Sequence, residues 1–192
     1  MGDDGPARIA HLLFEAGTLK NQRRTGWWVA GVRDPESVAE HSWRTALIAS
    51  VLASMEGADP AKAALIAVWH DTGETRTGDL HHLAQKYLEA KPDARDIAAD
   101  QTGGVPEAVG AMVRSAVAAY EEQDTPEARC AKDADKLECL IQAVEYRAQG
   151  HAAAQRWIDS SLERIATDGG RALAAAVLAQ EPLDWVRTAM GR

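Results

Sequence analysis

The chain has 192 residues, 46% of them hydrophobic and 5% aromatic, which is enough to bury one continuous core and fits a single domain over 1–192. Its 29 acidic side chains outnumber 21 basic ones, for a formal charge of −8; this excludes a surface built to grip a nucleic-acid polymer or an anionic membrane. Cys130 and Cys139 fall nine positions apart on one predicted helix, roughly 13 Å along its axis, so they form no unstrained disulfide. The N-terminal stretch MGDDGPARIAHLLFEAG is acidic where a secretory leader is basic, and no run approaches the length of a membrane span. The expected setting is the reducing cytoplasm.

Helix formers dominate and β-branched runs are rare, so the predicted class is all-α. Ile9, Leu12, Leu13, Ala16 and Leu19 recur at helical spacing within residues 7–19, predicting a first helix. A polar segment, KNQRRTGWWVAGVRD, separates it from a second helix. Asp34–Pro35 is read as that helix's start signal, reinforced by the Ser37 and Glu40 pair of a capping box, and the helix is predicted to reach Met55. Along it Val38, His41, Thr45, Ile48 and Leu52 follow one face, which sends His41 inward among hydrophobes.

Asp59–Pro60 repeats the start signal for a central apolar helix, AKAALIAVWHD, predicted to end near Gly73, with Ala63, Ile66, Ala67 and His70 on its buried face. Asp79 is read as the cap of a short helix through Leu88, Pro106 as the opening of one through Tyr120, and Thr125–Pro126 as the start of a long one ending at Gly150. Two or three further helices follow, broken at Asp168, Gly169 and Gly170 and at Pro182. No repeat, low-complexity tract or hairpin pattern is present.

The unusual stretch is VWHDTGETRTGD, residues 68–79, which crowds ionisable groups at the end of an apolar run. Buried charges of that kind need partners or a metal. His41, His70 and Asp71 come from two helices whose apolar faces must pack together, and imidazole with carboxylate suits one divalent transition ion of the Mn, Co, Fe, Ni or Zn type. A fourth ligand is sought in CAKDADKL, where helical geometry alone does not choose between Asp133 and Asp135.

The motifs SVAEHS, WHD, TGD and KDAD, in that order, resemble the HD-domain metal-dependent phosphohydrolases, and within them the 5′-deoxynucleotidase branch. The resemblance covers about residues 19–144; the C-terminal helices, 151–192, match only in kind and are expected to pack on that core. It implies an all-α helical bundle with the metal between its central helices. The family pattern, a lysine followed two residues later by Ala-Asp, falls on Lys132, Ala134 and Asp135, so the resemblance selects Asp135 and implies His41, His70, Asp71 and Asp135 as metal ligands. It also implies Glu74 and Asp79 as catalytic acids, Arg24 as the phosphate contact and a homodimer. In such chemistry a metal acidifies water and neutralises phosphoryl charge. One carboxyl then orients or deprotonates the water and the other protonates the leaving oxygen, while an arginine fork holds phosphate. The predicted substrate is a small anionic phosphomonoester, a (deoxy)nucleoside 5′-monophosphate.

Trp27 and Trp28 follow Arg24 and are candidate base-stacking contacts, against simple packing. The best-known deoxynucleotidases place tryptophan directly after that arginine, whereas Thr25 stands here, which removes the sequence basis for assigning deoxyribose over ribose. Trp43 and Trp69 flank ligand positions and are read as packing residues. His81 and His82 also admit a diiron oxygenase of the wider superfamily, although neighbouring helical residues diverge by about 100° and only one easily reaches a shared metal. A phosphatase for a non-nucleotide metabolite would use the same residues. So would a catalytically silent helical binding module that keeps the metal for stability.

Overall fold

The computed structural model describes residues 4–90 and 93–191. Among them the secondary structure is helical throughout, apart from an isolated antiparallel bridge between Arg23 and Ser37. The elements are α1 (Gly5–Gly17), α2 (Gly26–Val29), α3 (Val38–Glu56), α4 (Pro60–Trp69), α5 (Glu74–Thr77), α6 (His82–Gln85), α7 (Ala94–Gln101), α8 (Glu107–Glu122), α9 (Pro126–Ala148), α10 (Gln155–Leu162), α11 (Asp168–Leu178) and α12 (Asp184–Ala189), with short 3₁₀ turns at Thr18–Lys20 and Ala152–Ala154. Helix α9 is the axis: α3, α4, α8, α10 and α11 all pack on it, and α3 lies along α4. The shared core includes Leu52, Ile66, Leu137, Leu140 and Ile158, each of which contributes about 1.5–3 kcal/mol by leaving water.

Local chemistry explains most helix ends. Ser37 Oγ accepts from Glu40 N and the Glu40 carboxylate accepts from Ser37 N, a reciprocal cap on α3. That helix stops at Gly57, whose φ of 71° is left-handed. Asp59 and Pro60 open α4, and Thr125 and Pro126 open α9. Asp34–Pro35 starts no helix. Residues 22–24 pair with 36–38 through Arg24 N to Glu36 O and Val38 N to Gln22 O, and this extended pairing holds the chain out of the helix until Ser37.

Other expectations are corrected too. Helix α4 ends at Trp69 and passes through turns to α5. Asp79 caps nothing; His81 caps α6 by accepting from Ala84 N, and α6 ends at Gln85. Helix α7 was unforeseen because ARDIAADQ carries little apolar periodicity and buries only Ala98 and Gln101. Gly169 and Gly170 lie inside the first turn of α11, capped by Thr167. A Cβ at Gly169 would sit 3.1 Å from Leu52 Cδ1, and one at Gly170 2.9 Å from Asp133 Oδ2, so these glycines allow close packing. Trp43, expected to pack, is 64% exposed.

Candidate metal centre

Helices α3, α4 and α9 bring their polar residues together where their apolar faces meet. His41 sits mid-face on α3, wholly buried, with Nδ1 2.5 Å from Glu138 Oε2. His70 closes α4, and its Nδ1 lies 2.6 Å from the Ala67 carbonyl. In both rings Nδ1 faces an acceptor, so it carries the hydrogen. Both Nε2 atoms are buried without a hydrogen-bond partner. They converge on Asp71 Oδ2, at 3.6 Å from His41 and 3.1 Å from His70.

Two unpartnered imidazole nitrogens beside a carboxylate are costly in an apolar interior and fit a divalent transition ion. One ligand atom each from His41, His70 and Asp71 lies within 4.8 Å of the others. Asp135 adjoins this set through His41 alone, with Oδ1 3.4 Å from Nε2, while its Oδ2 accepts from Tyr120 Oη and Lys136 Nζ, both at 2.7 Å. Asp133, the other candidate, points elsewhere and accepts from Ala166 N, Thr167 N and Thr167 Oγ1. Among the described residues the other cluster able to hold a metal is His41, Glu138 and Cys139; the two share His41, and neither includes His81 or His82. His81 is the α6 cap, and His82 lies by Arg164.

The electrostatics follow from crowding. Burial pushes Asp71 up, but His70, Arg24 and His41 overcome it and hold this carboxyl well below its ordinary range. Burial likewise opposes ionisation of Asp135, which Lys136 and His41 reverse. Burial and Arg24 push His41 down, yet Glu138 and Asp135 raise it well above an ordinary imidazole. Glu74 opens α5 with Oε2 buried and unpartnered; burial, then Asp71 and Asp79, push it up to about 9. A nearby cation acts on this carboxyl in the opposite direction.

Arg24 enters from the segment before α2. Its Nη1 is 3.3 Å from both Asp71 Oδ2 and Asp79 Oδ1, and Nη2 is 3.4 Å from Cys139 Sγ. Asp79 Oδ2 also accepts from the Thr25 backbone N–H and from Thr25 Oγ1. The expectation for Trp27 is corrected. Its ring is 2% exposed, packs on Tyr146 and Trp157 and donates Nε1–H to Glu36, leaving no face for a base. Trp28, next along, is 52% exposed.

Sequence reasoning passed over Glu138, Arg44, Tyr120 and Lys136. Glu138 falls three residues after Asp135, and Arg44 three after His41, spacings that share a helix face with a candidate ligand.

The geometry is matched by kinship. The HD domain family matches residues 16–176. This chain belongs to the HD domain family. It is 34% identical over 144 residues to the 5′-deoxynucleotidase HDDC2 of Dictyostelium discoideum, an alignment covering 70% of this chain and 75% of that protein. Among solved structures it resembles a conserved hypothetical protein from Pyrococcus furiosus (TM-score 0.71, 32% identity, 88% of this chain and 98% of the other). It also resembles a protein from Magnetospirillum magnetotacticum described as a predicted metal-dependent phosphohydrolase (TM-score 0.68, 25% identity, 92% of each chain).

Proposed function

We propose that this HD-domain chain is a metal-dependent phosphohydrolase that converts (deoxy)nucleoside 5′-monophosphates to nucleoside and phosphate. The observation that carries the reading is the convergence of two orphaned imidazole nitrogens on Asp71, with Arg24 bonded to the same carboxylate. In this reading His41, His70, Asp71 and Asp135 hold one divalent transition ion. When bound, the ion supplies a Lewis acid that acidifies water and offsets phosphoryl charge.

The chain's own residues supply the rest. Arg24 presents a guanidinium fork to phosphate. Its Nη1 is shared between two aspartates, so an arriving dianion competes with carboxylates for a donor already in place, which favours phosphate over neutral ligands. Glu74, with a free oxygen beside Asp71, and Asp79, held by Arg24 and Thr25, are the two carboxyl groups that orient the attacking water and handle the proton passed to the leaving 5′-oxygen. Trp28 is the remaining aromatic candidate for contact with the base.

The kinship with a 5′-deoxynucleotidase of Dictyostelium discoideum supports the nucleotide substrate, and the absence of His81 and His82 from either cluster favours this reading over a two-iron oxygenase. The whole chain is taken as one domain working in the cytoplasm as a homodimer. Trp43, Leu47, Val51 and Met55 form an exposed apolar row at four-residue spacing on α3, a surface suited to such pairing. The net charge of −8 fits a small ligand gripped locally and not a nucleic-acid polymer or a membrane surface.

The test is to load the protein with Mn²⁺ or Co²⁺, offer paired ribo- and deoxyribonucleoside monophosphates and non-nucleotide phosphomonoesters, and measure released phosphate beside metal content. Phosphate release that follows metal content and prefers the nucleotides supports the reading. Release confined to non-nucleotide esters would transfer it to another metabolite.

A further inference from the structure

Glu138 has no part in the chemistry just described, yet it is completely buried at the heart of the molecule. Its two oxygens are divided between partners: Oε2 lies 2.5 Å from His41 Nδ1, and Oε1 accepts from Arg44 Nε at 2.9 Å. Arg44 is itself anchored by Glu145 and Gln142. Burying a carboxylate with an arginine seldom adds stability over an apolar pair of similar size, so packing alone does not account for the arrangement.

We propose that Glu138, oriented by Arg44, is a positioning residue that keeps the hydrogen of His41 on Nδ1 and so presents Nε2 to the ion. A carboxylate only accepts, so Nδ1 must donate to it, and Nε2 is then the nitrogen free to bind a metal. His70 reaches the same state by a local route, its Nδ1 facing the Ala67 carbonyl one turn back. His41 lies in the first turn of α3, where the Ser37 carbonyl one turn back already accepts from its own backbone N–H, and it draws its acceptor from α9. The inference rests on the metal-site reading of the previous section and adds the element that selects the ligating nitrogen.

The decisive variant is Glu138→Gln, which keeps size and shape. With Arg44 in place, the single amide oxygen turns toward the guanidinium and the amide NH₂ faces His41. Nδ1 must then accept, and the hydrogen moves to Nε2, where the ion belongs. Affinity for Zn²⁺, measured by competition with a chelator, should fall about 10–100-fold, and imidazole ¹H–¹⁵N spectra of the ion-free variant should show His41 protonated on Nε2. In Arg44→Met/Glu138→Gln the amide oxygen is free to turn back to His41, so the hydrogen returns to Nδ1 and part of the affinity is regained. An ion pair that served stability alone predicts the reverse, a double variant worse than the single one.

Zinc-loaded wild-type protein gives an answer whether or not the variants fold: the inference requires the His41 hydrogen on Nδ1 and is overturned if zinc occupies that nitrogen. It is also overturned if folded Glu138→Gln binds Zn²⁺ as tightly as wild type. If His41→Ala binds Zn²⁺ as well as wild type, the failure belongs to the metal-site reading instead.

Discussion

Asp133 and Asp135 stand two residues apart on α9, both buried, in contrasting surroundings. Asp133 spends its carboxylate on the backbone of Ala166 and Thr167 and the Thr167 hydroxyl, tying the start of α11 to the bundle. Asp135 shares one oxygen between a tyrosine and a lysine and turns the other toward an imidazole nitrogen that nothing satisfies. A buried polar group whose bonds are complete belongs to the architecture; one set among unsatisfied neighbours is suited to holding a ligand. The same division separates the α11 side of α9 from the side facing α3 and α4.

The sharpest way to break this comparison is at Glu74, on the unsatisfied side. Glu74→Gln should lower phosphate release by about 10²–10⁴-fold with metal content and melting temperature close to wild type; an unchanged rate would remove Glu74 from the chemistry. On the satisfied side, Asp133→Ala should leave metal content intact and destabilise the fold by about 3 kcal/mol, since buried N–H donors lose their acceptor. That corresponds to roughly 6–12 °C in a thermal melt. If Asp133→Ala instead emptied the metal site, the contrast between the two aspartates would fail.

A smaller effect concerns Glu15, which accepts from Arg76, Thr75 and Gln101. The Arg76 hydrogen bond is the main reason its carboxyl falls to about 2, against some opposition from burial. A folded value below the unfolded one means that its stabilisation is complete above about pH 4.5 and fades as the pH falls toward 2. With allowance for solvent screening the contribution is about 1 kcal/mol. Glu15→Gln should therefore cost that amount at pH 7 and nothing near pH 2, as read from urea melts. Smallest in stability is Val51→Glu on the exposed face of α3, at about 0.5 kcal/mol or less, but light scattering should show a dimeric wild type becoming a monomer.

Much of the architecture was legible in the residues. Ser37 with Glu40, Asp59–Pro60 and Thr125–Pro126 announced α3, α4 and α9 because their caps are local hydrogen bonds. The inward turn of His41 followed from the spacing of its apolar neighbours. What stayed hidden depends on contacts between distant segments. Asp34–Pro35 looked like a helix start, but the pairing of residues 22–24 with 36–38 overrides it. Asp79 looked like a cap, but its acceptor capacity is claimed by Thr25, 54 residues earlier. Glu138 looked like one more acid on a charged helix until α3 placed His41 against it.

The grip of Thr25 and Arg24 on Asp79 carries a practical consequence. A protein engineer trimming this chain to its packed α3–α9 centre would keep the hydrophobic heart and the imidazoles, and would discard the arginine that the proposed function gives to the phosphate. On that proposal the short polar strip ahead of α2, which bonds both Asp71 and Asp79, belongs to the site, and a shortened version that starts downstream of residue 22 should lose phosphate release.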